Sequence, residues 1–148
     1  MSTFQLDDGG RAAAGYSGTA GDCVVRAIAI AAQLPYQKVY DDLFALNRAT
    51  NKKKDRCSPR DGNTSMKTIK QYLEGMGWRW KPTMQIGSGC TVHLRADELP
   101  KGRLIVRASR HLVAVVDGVI HDTYDSSRGG TRCVYGYFVP YAVSPQRG

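Results

Sequence analysis

The sequence predicts an α+β fold, with N-terminal helices packed on a C-terminal antiparallel β-sheet, and three observations carry that expectation. As far as Gly77, apolar residues recur at helical spacing; beyond it they fall in short runs rich in Val, Ile and aromatics, the pattern of strands. Between two of those runs stands Asp117-Gly118, a strong two-residue hairpin signal. Helices first and antiparallel strands second is the element order of an α+β domain.

Residues 1 to 20, rich in Gly and Ala, read as irregular chain leading to the first helix. That helix runs from about Asp22 to Gln33, and its alanines and branched residues cover most of its circumference, as in a helix packed on several sides. Pro35 suits the first turn of a second helix, carrying Val39, Tyr40, Leu43, Phe44 and Leu46 on one face. A basic loop follows, from about 48 to 63. Thr64 or Ser65 caps a third helix, with Met66, Ile69, Tyr72 and Leu73 on one side and Gly75 or Gly77 ending it. Strands are expected at Trp78 to Met84, Thr91 to Leu94, Arg103 to Ala108, His111 to Val116, Val119 to Asp122 and Cys133 to Tyr141.

At 148 residues the chain reads as a single domain, residues 1–148, long enough to bury roughly 70% of the surface its unfolded form exposes. It therefore needs neither disulfide nor metal to fold. The start of the chain lacks the basic and apolar segments of a signal peptide, and no stretch approaches the roughly eighteen apolar residues of a membrane span. A cytoplasmic protein that engages no membrane is expected. In that compartment Cys23, Cys57, Cys90 and Cys133 should all be thiols. Cys90 and His93 have a Cys-x-x-His spacing, but Cys57 and Cys133 stand alone and supply no second knuckle, so no metal or other cofactor is expected.

The net charge of +8 points to an acidic partner or substrate. Much of the excess lies in the basic loop, in Arg48, Lys52, Lys53, Lys54, Arg56 and Arg60. These residues lack interleaved aromatics or a recognition helix, so the loop is read first as a solvated connection and second as a surface for an acidic macromolecule.

The chemistry suggested by the sequence is that of a cysteine nucleophile. Cys23 stands at a helix start, where unpaired N–H groups and the positive end of the macrodipole favour thiolate. His111 opens an apolar strand, and the two-residue turn pairs Val116 with Val119, Val113 with Asp122 and His111 with Tyr124. His111 and Asp122 then share one face as diagonal neighbours, while His121 and Asp125 fall elsewhere. An imidazole that moves the proton and a carboxylate that orients it complete a triad with Cys23.

The Asp22-Cys23 pair with its small, apolar helix, and the hairpin from His111 to Asp122, resemble the papain-like cysteine peptidases, particularly small bacterial and phage members and the double-glycine leader peptidases. The resemblance implies a peptidase or isopeptidase with Cys23, His111 and Asp122 as its triad and a thioester intermediate. Such peptidases carry a Gln shortly before the Cys that helps form the oxyanion hole. Position 17 here is Ser; either Ser17, Thr19 or a loop N–H substitutes, or the hole is completed only on substrate binding, or it is incomplete in a protein that no longer catalyses, with Asp22 belonging to the helix start. Two alternatives stay open: a catalytically vestigial basic binding module of the same fold, and an acyltransferase or deamidase using the same triad.

Overall fold

A computed structural model describes residues 4–17, 21–50, 57–62, 64–85 and 87–140. Its elements are β1 (Phe4–Leu6), α1 (Cys23–Ala32), α2 (Tyr36–Thr50), α3 (Met66–Gly75), β2 (Trp78–Pro82), β3 (Arg103–Ala108), β4 (His111–Val116), β5 (Val119–Asp122) and β6 (Val134–Pro140). The architecture is α+β, three helices against one six-stranded sheet of order β1-β5-β4-β3-β6-β2.

Helix α1 is the central helix, with Val24, Val25, Arg26, Ala27, Ile28, Ala29 and Ala31 all buried. It ends at Gln33, whose φ of 59° is left-handed and whose N–H turns back to the carbonyls of Ala29 and Ile30. Arg103 on β3 donates from Nε to the carbonyl of Ala31 and from Nη2 to that of Ile30, both at 2.8 Å. A cation thus meets the negative end of the helix and fixes α1 against the sheet. Ser65 caps α3 by accepting from the Thr68 N–H.

Alternation along the strands divides the core between the two faces of the sheet. Ile105, Leu112, Ala114 and Phe138 pack with α1, α2 and α3. Leu104, Val106, Val113, Val115, Ile120 and Val134 point the other way and are covered by Leu94 and Leu99 of the long β2–β3 connection. The hairpin has the expected register, Val116 opposite Val119 and Ala114 opposite His121. Asp117 and Gly118 adopt φ values of 50° and 82°, both left-handed, as a type I′ turn requires.

Four expectations are corrected. Residues 4–6 are not irregular but form β1, parallel to β5 at the sheet edge, so the sheet is mixed rather than antiparallel throughout. Thr91 to Leu94 form no strand; the backbone of this stretch pairs through an isolated bridge between His93 and Cys133. Its backbone pairs once and then turns away, since Leu94 and Leu99 are needed over the second core. Third, Cys90 and Cys133 are joined in a disulfide, leaving Cys23 and Cys57 as thiols. The two partners lie 43 residues apart, too far for spacing to announce them, and the His93 bridge brings their Cα atoms to 5.9 Å. Fourth, Arg60 does not extend from a solvated loop but turns inward, as described below. Lys52, Lys53, Lys54 and Arg56 lie outside the described residues, whereas Arg48 is exposed in the last turn of α2. No helix among the described residues is long and apolar enough to cross a membrane.

Candidate active site

The N-terminus of α1 and the start of β4 place Cys23 against His111. Cys23 is partly buried, and His111 and the backbone N–H of Leu112 are the neighbours that act on its thiol to favour the charged form. The other side of the imidazole is committed: His111 Nε2 lies 2.6 Å from Asp122 Oδ2. Nδ1 is therefore the nitrogen left for the thiol. His111 is 5% exposed and Asp122 1%, so the bond between them operates away from bulk water.

Asp122 has three further ties. Its Oδ1 accepts from Arg26 Nη1 and from the Thr123 N–H at 2.7 Å, and its backbone carbonyl accepts from the Asp7 N–H at 2.8 Å, just beyond β1. Arg26 lies one helical turn beyond Cys23 and donates its Nε to Asp22 Oδ1 at 2.9 Å. A single buried guanidinium thus joins the residue before the thiol to the carboxylate behind the histidine.

Asp22 is wholly buried and is the centre of an ionic cluster rather than a helix cap; its side chain makes no capping bond. Besides Arg26 it accepts from Tyr36 Oη at 2.7 Å, Arg11 Nη1 at 3.3 Å and Arg60 Nη1 at 3.3 Å. Arg60 also donates to Tyr36 Oη at 2.7 Å and to the Ser17 carbonyl at 3.2 Å, and its guanidinium stands 4.7 Å from the centre of the Tyr16 ring. A buried carboxylate needs this many partners to stay ionised. Sequence reasoning missed the cluster because its members are separated by 4 to 38 residues and no motif links them.

The surroundings set the charges of the triad. Burial opposes ionisation of Cys23, yet the hydrogen bond and charge of His111, the Leu112 N–H and the charge of Arg26 outweigh it and bring the thiol below its ordinary pKa. Burial likewise disfavours the imidazolium, but hydrogen bonds and charge from Asp122 and Cys23 raise His111 above the usual histidine value. Against burial, His111, Arg26 and the Thr123 N–H lower Asp122 to about 2. Both directions favour the charged forms, a thiolate beside an imidazolium, with an ionised carboxylate behind them.

The thiol opens into a cleft of about 390 Å³, bounded by Gly21, Val24, Pro59, Gly62, Thr64, Arg107 and Arg110. Gly21 and Asp61 form a bridge that fixes one wall, with the Gly62 N–H donating to the Gly21 carbonyl at 3.0 Å. Ser17 is exposed and does not line the cleft, and Thr19 lies outside the described residues. Among the described residues the N–H groups of Cys23 and Val24 have no capping side chain, and they stand at the open end of α1 beside the sulfur. His121 bonds Asp7 at 3.1 Å, and Asp125 accepts from the Ser127 hydroxyl and N–H in the following turn, so neither joins the triad. Among the described residues no cluster of side chains has the makings of a metal site. No family model, curated protein or solved structure matches this chain.

Proposed function

We propose that this protein is a cysteine-dependent hydrolase of papain-like architecture, acting on peptide, isopeptide or related amide bonds. The observation that carries the reading is the buried line from Cys23 through His111 to Asp122 at the open start of α1. In this mechanism the Cys23 thiolate attacks the carbonyl carbon, forming a C–S bond as the π electrons move to oxygen. The N–H groups of Cys23 and Val24 and the positive end of α1 stabilise that oxyanion, taking the place of the absent glutamine. Collapse breaks the C–N bond, and the leaving amine takes the imidazolium proton from His111. Water then attacks the thioester, giving one proton to His111 as the C–S bond breaks; the acid product leaves and the ion pair is restored. Asp122 stays ionised throughout and holds the ring for both transfers.

The test is brief labelling with iodoacetamide followed by peptide mapping, over a range of pH. Cys23 should label faster than buried Cys57 and keep reacting well below the pH at which an ordinary thiol stops, because its pKa is lowered. Its rate should fall only as acid protonates the thiolate, and alkali should remove the partnering imidazolium above the raised His111 pKa. A cleavage profile of wild type against Cys23→Ala then reads the reaction. Cys23 inert below pH 7 defeats the assignment and leaves a binding module; transfer to an added amine in preference to water makes the enzyme an acyltransferase.

A further inference from the structure

The cleft around Cys23 carries positive charge with no counter-ion of its own. Arg107, on β3, and Arg110, in the β3–β4 turn beside His111, both line it, and no Asp or Glu does. The carboxylates closest in the chain are accounted for. Asp22 is held by Arg11, Arg26, Arg60 and Tyr36; Asp122 by His111 and Arg26. Asp61, bridged to Gly21 through its backbone, is exposed and lies outside the lining. Among the described residues neither Arg107 nor Arg110 makes an ion pair, in contrast to Arg11, Arg26, Arg60 and Arg95.

Arg107 is also half-buried. A guanidinium partly withdrawn from water and left without an anion is held at a cost, which an incoming anion removes. Two arginines lining one cleft suit a planar carboxylate, which can accept parallel hydrogen bonds from either guanidinium. Cys23 lines the same cleft and Arg110 directly precedes His111 in the chain, so an anion bound there would lie close to the bond being broken.

We propose that the cleft selects substrates bearing a carboxylate next to the scissile bond, held by Arg107 and Arg110. This rests on Cys23 being the nucleophile. The carboxylate has two sources, an Asp or Glu side chain within a peptide or the free C-terminus of one.

The anion site can be read at Cys23 without knowing the substrate. Iodoacetate and iodoacetamide both alkylate the thiolate, forming a C–S bond as iodide leaves, but only iodoacetate carries a carboxylate. Because both consume the same thiolate, the ratio of their rates cancels any change in the Cys23 pKa. In wild type the ratio should exceed that of free cysteine and fall with added salt. It should drop about threefold in Arg107→Gln or Arg110→Gln and about tenfold in the double variant, the scale of one or two charges acting through a partly hydrated cleft. The single variant at exposed Arg110 serves if the double variant does not fold. A ratio unchanged by the substitutions overturns the anion site while leaving the nucleophile intact; Cys23 inert to both reagents overturns both. Paired peptides then identify the source. Preference for an internal Asp or Glu in C-terminally amidated peptides assigns a side chain, and a requirement for the free C-terminus assigns the chain end. Equal cleavage of counterparts with Lys in place of the acid argues against the proposal.

Discussion

At the scale of single residues, the choice between Asp122 and Asp125 decides how the histidine is held. Asp122 reaches His111 Nε2 at 2.6 Å from the last position of β5, whereas Asp125 is spent on Ser127. Asp122→Asn should therefore keep part of the activity, since an amide oxygen still accepts from the ring. Asp122→Ala should lower turnover on the order of 10- to 1000-fold through a misoriented ring, and Asp125→Ala should be close to silent. Turnover on the three variants, with thermal melts as control, checks this; the reverse ranking would remove Asp122 from the triad. This pairing was legible in the sequence because a two-residue turn propagates register over six residues without outside help. The partners of Asp22 and Asp122 were not. Arg26 sits in a run that reads as apolar helix, and nothing local tells that its guanidinium spans the 96 residues to Asp122. Arg60 was misread for the same reason: its neighbours are turn formers and lysines, while its partners are Asp22 and Tyr36.

Among the elements, α1 and β5 are tied to each other by Arg26 of α1, which meets Asp122 at the end of β5 and Asp22 just before its own helix. Replacing it leaves two buried carboxylates short of a cation. Arg26→Met should cost about 3–5 kcal/mol in unfolding free energy, as breaking a buried pair does. It should also shift the pH midpoint of Cys23 alkylation upward, since the charge of Arg26 is one of the causes that lower that thiol. Arg26→Lys should recover part of both, limited because one ammonium lacks the fork that reaches Asp22 and Asp122 together. Denaturant melts and the alkylation profile read the two effects separately; a stable Arg26→Met with an unmoved profile would show that the bridge is idle. The elements themselves were read unevenly. β3, β4 and β5 fall where their β-branched runs end, at Gly, Asp-Gly or a polar break. β1 escaped because three residues in parallel pairing leave no turn signal and no alternation to detect.

For the molecule as a whole, the sheet buries both faces by different means. Helices cover one with Ile28, Leu43, Ile69 and Leu73, while the other depends on Leu94 and Leu99 from the β2–β3 connection, whose described residues form neither helix nor strand. A loop of that kind loses much chain entropy on ordering, which its anchors must offset. Here the anchors include the Thr83 N–H and hydroxyl on the carbonyls of Tyr135 and Val134, the His93–Cys133 bridge, made by the Leu94 N–H on the Arg132 carbonyl at 2.9 Å and the Val134 N–H on the Val92 carbonyl at 2.8 Å, and the Cys90–Cys133 disulfide. The crosslink closes a segment of 43 residues, for which restriction of the unfolded chain amounts to about 4 kcal/mol. Reduction, or Cys90→Ser with Cys133→Ser, should therefore lower stability by up to about that amount. It should also increase amide exchange around Leu94 and Leu99 before any change at α1. Cys23 lies with the helical layer, so its alkylation rate under native conditions should survive the loss of the crosslink. Hydrogen exchange and iodoacetamide labelling of the reduced protein check both halves of this expectation. Unchanged protection over residues 92–99 would mean that the second core holds the connection without the disulfide, and collapse of Cys23 reactivity would mean that the two faces of the sheet are not independent.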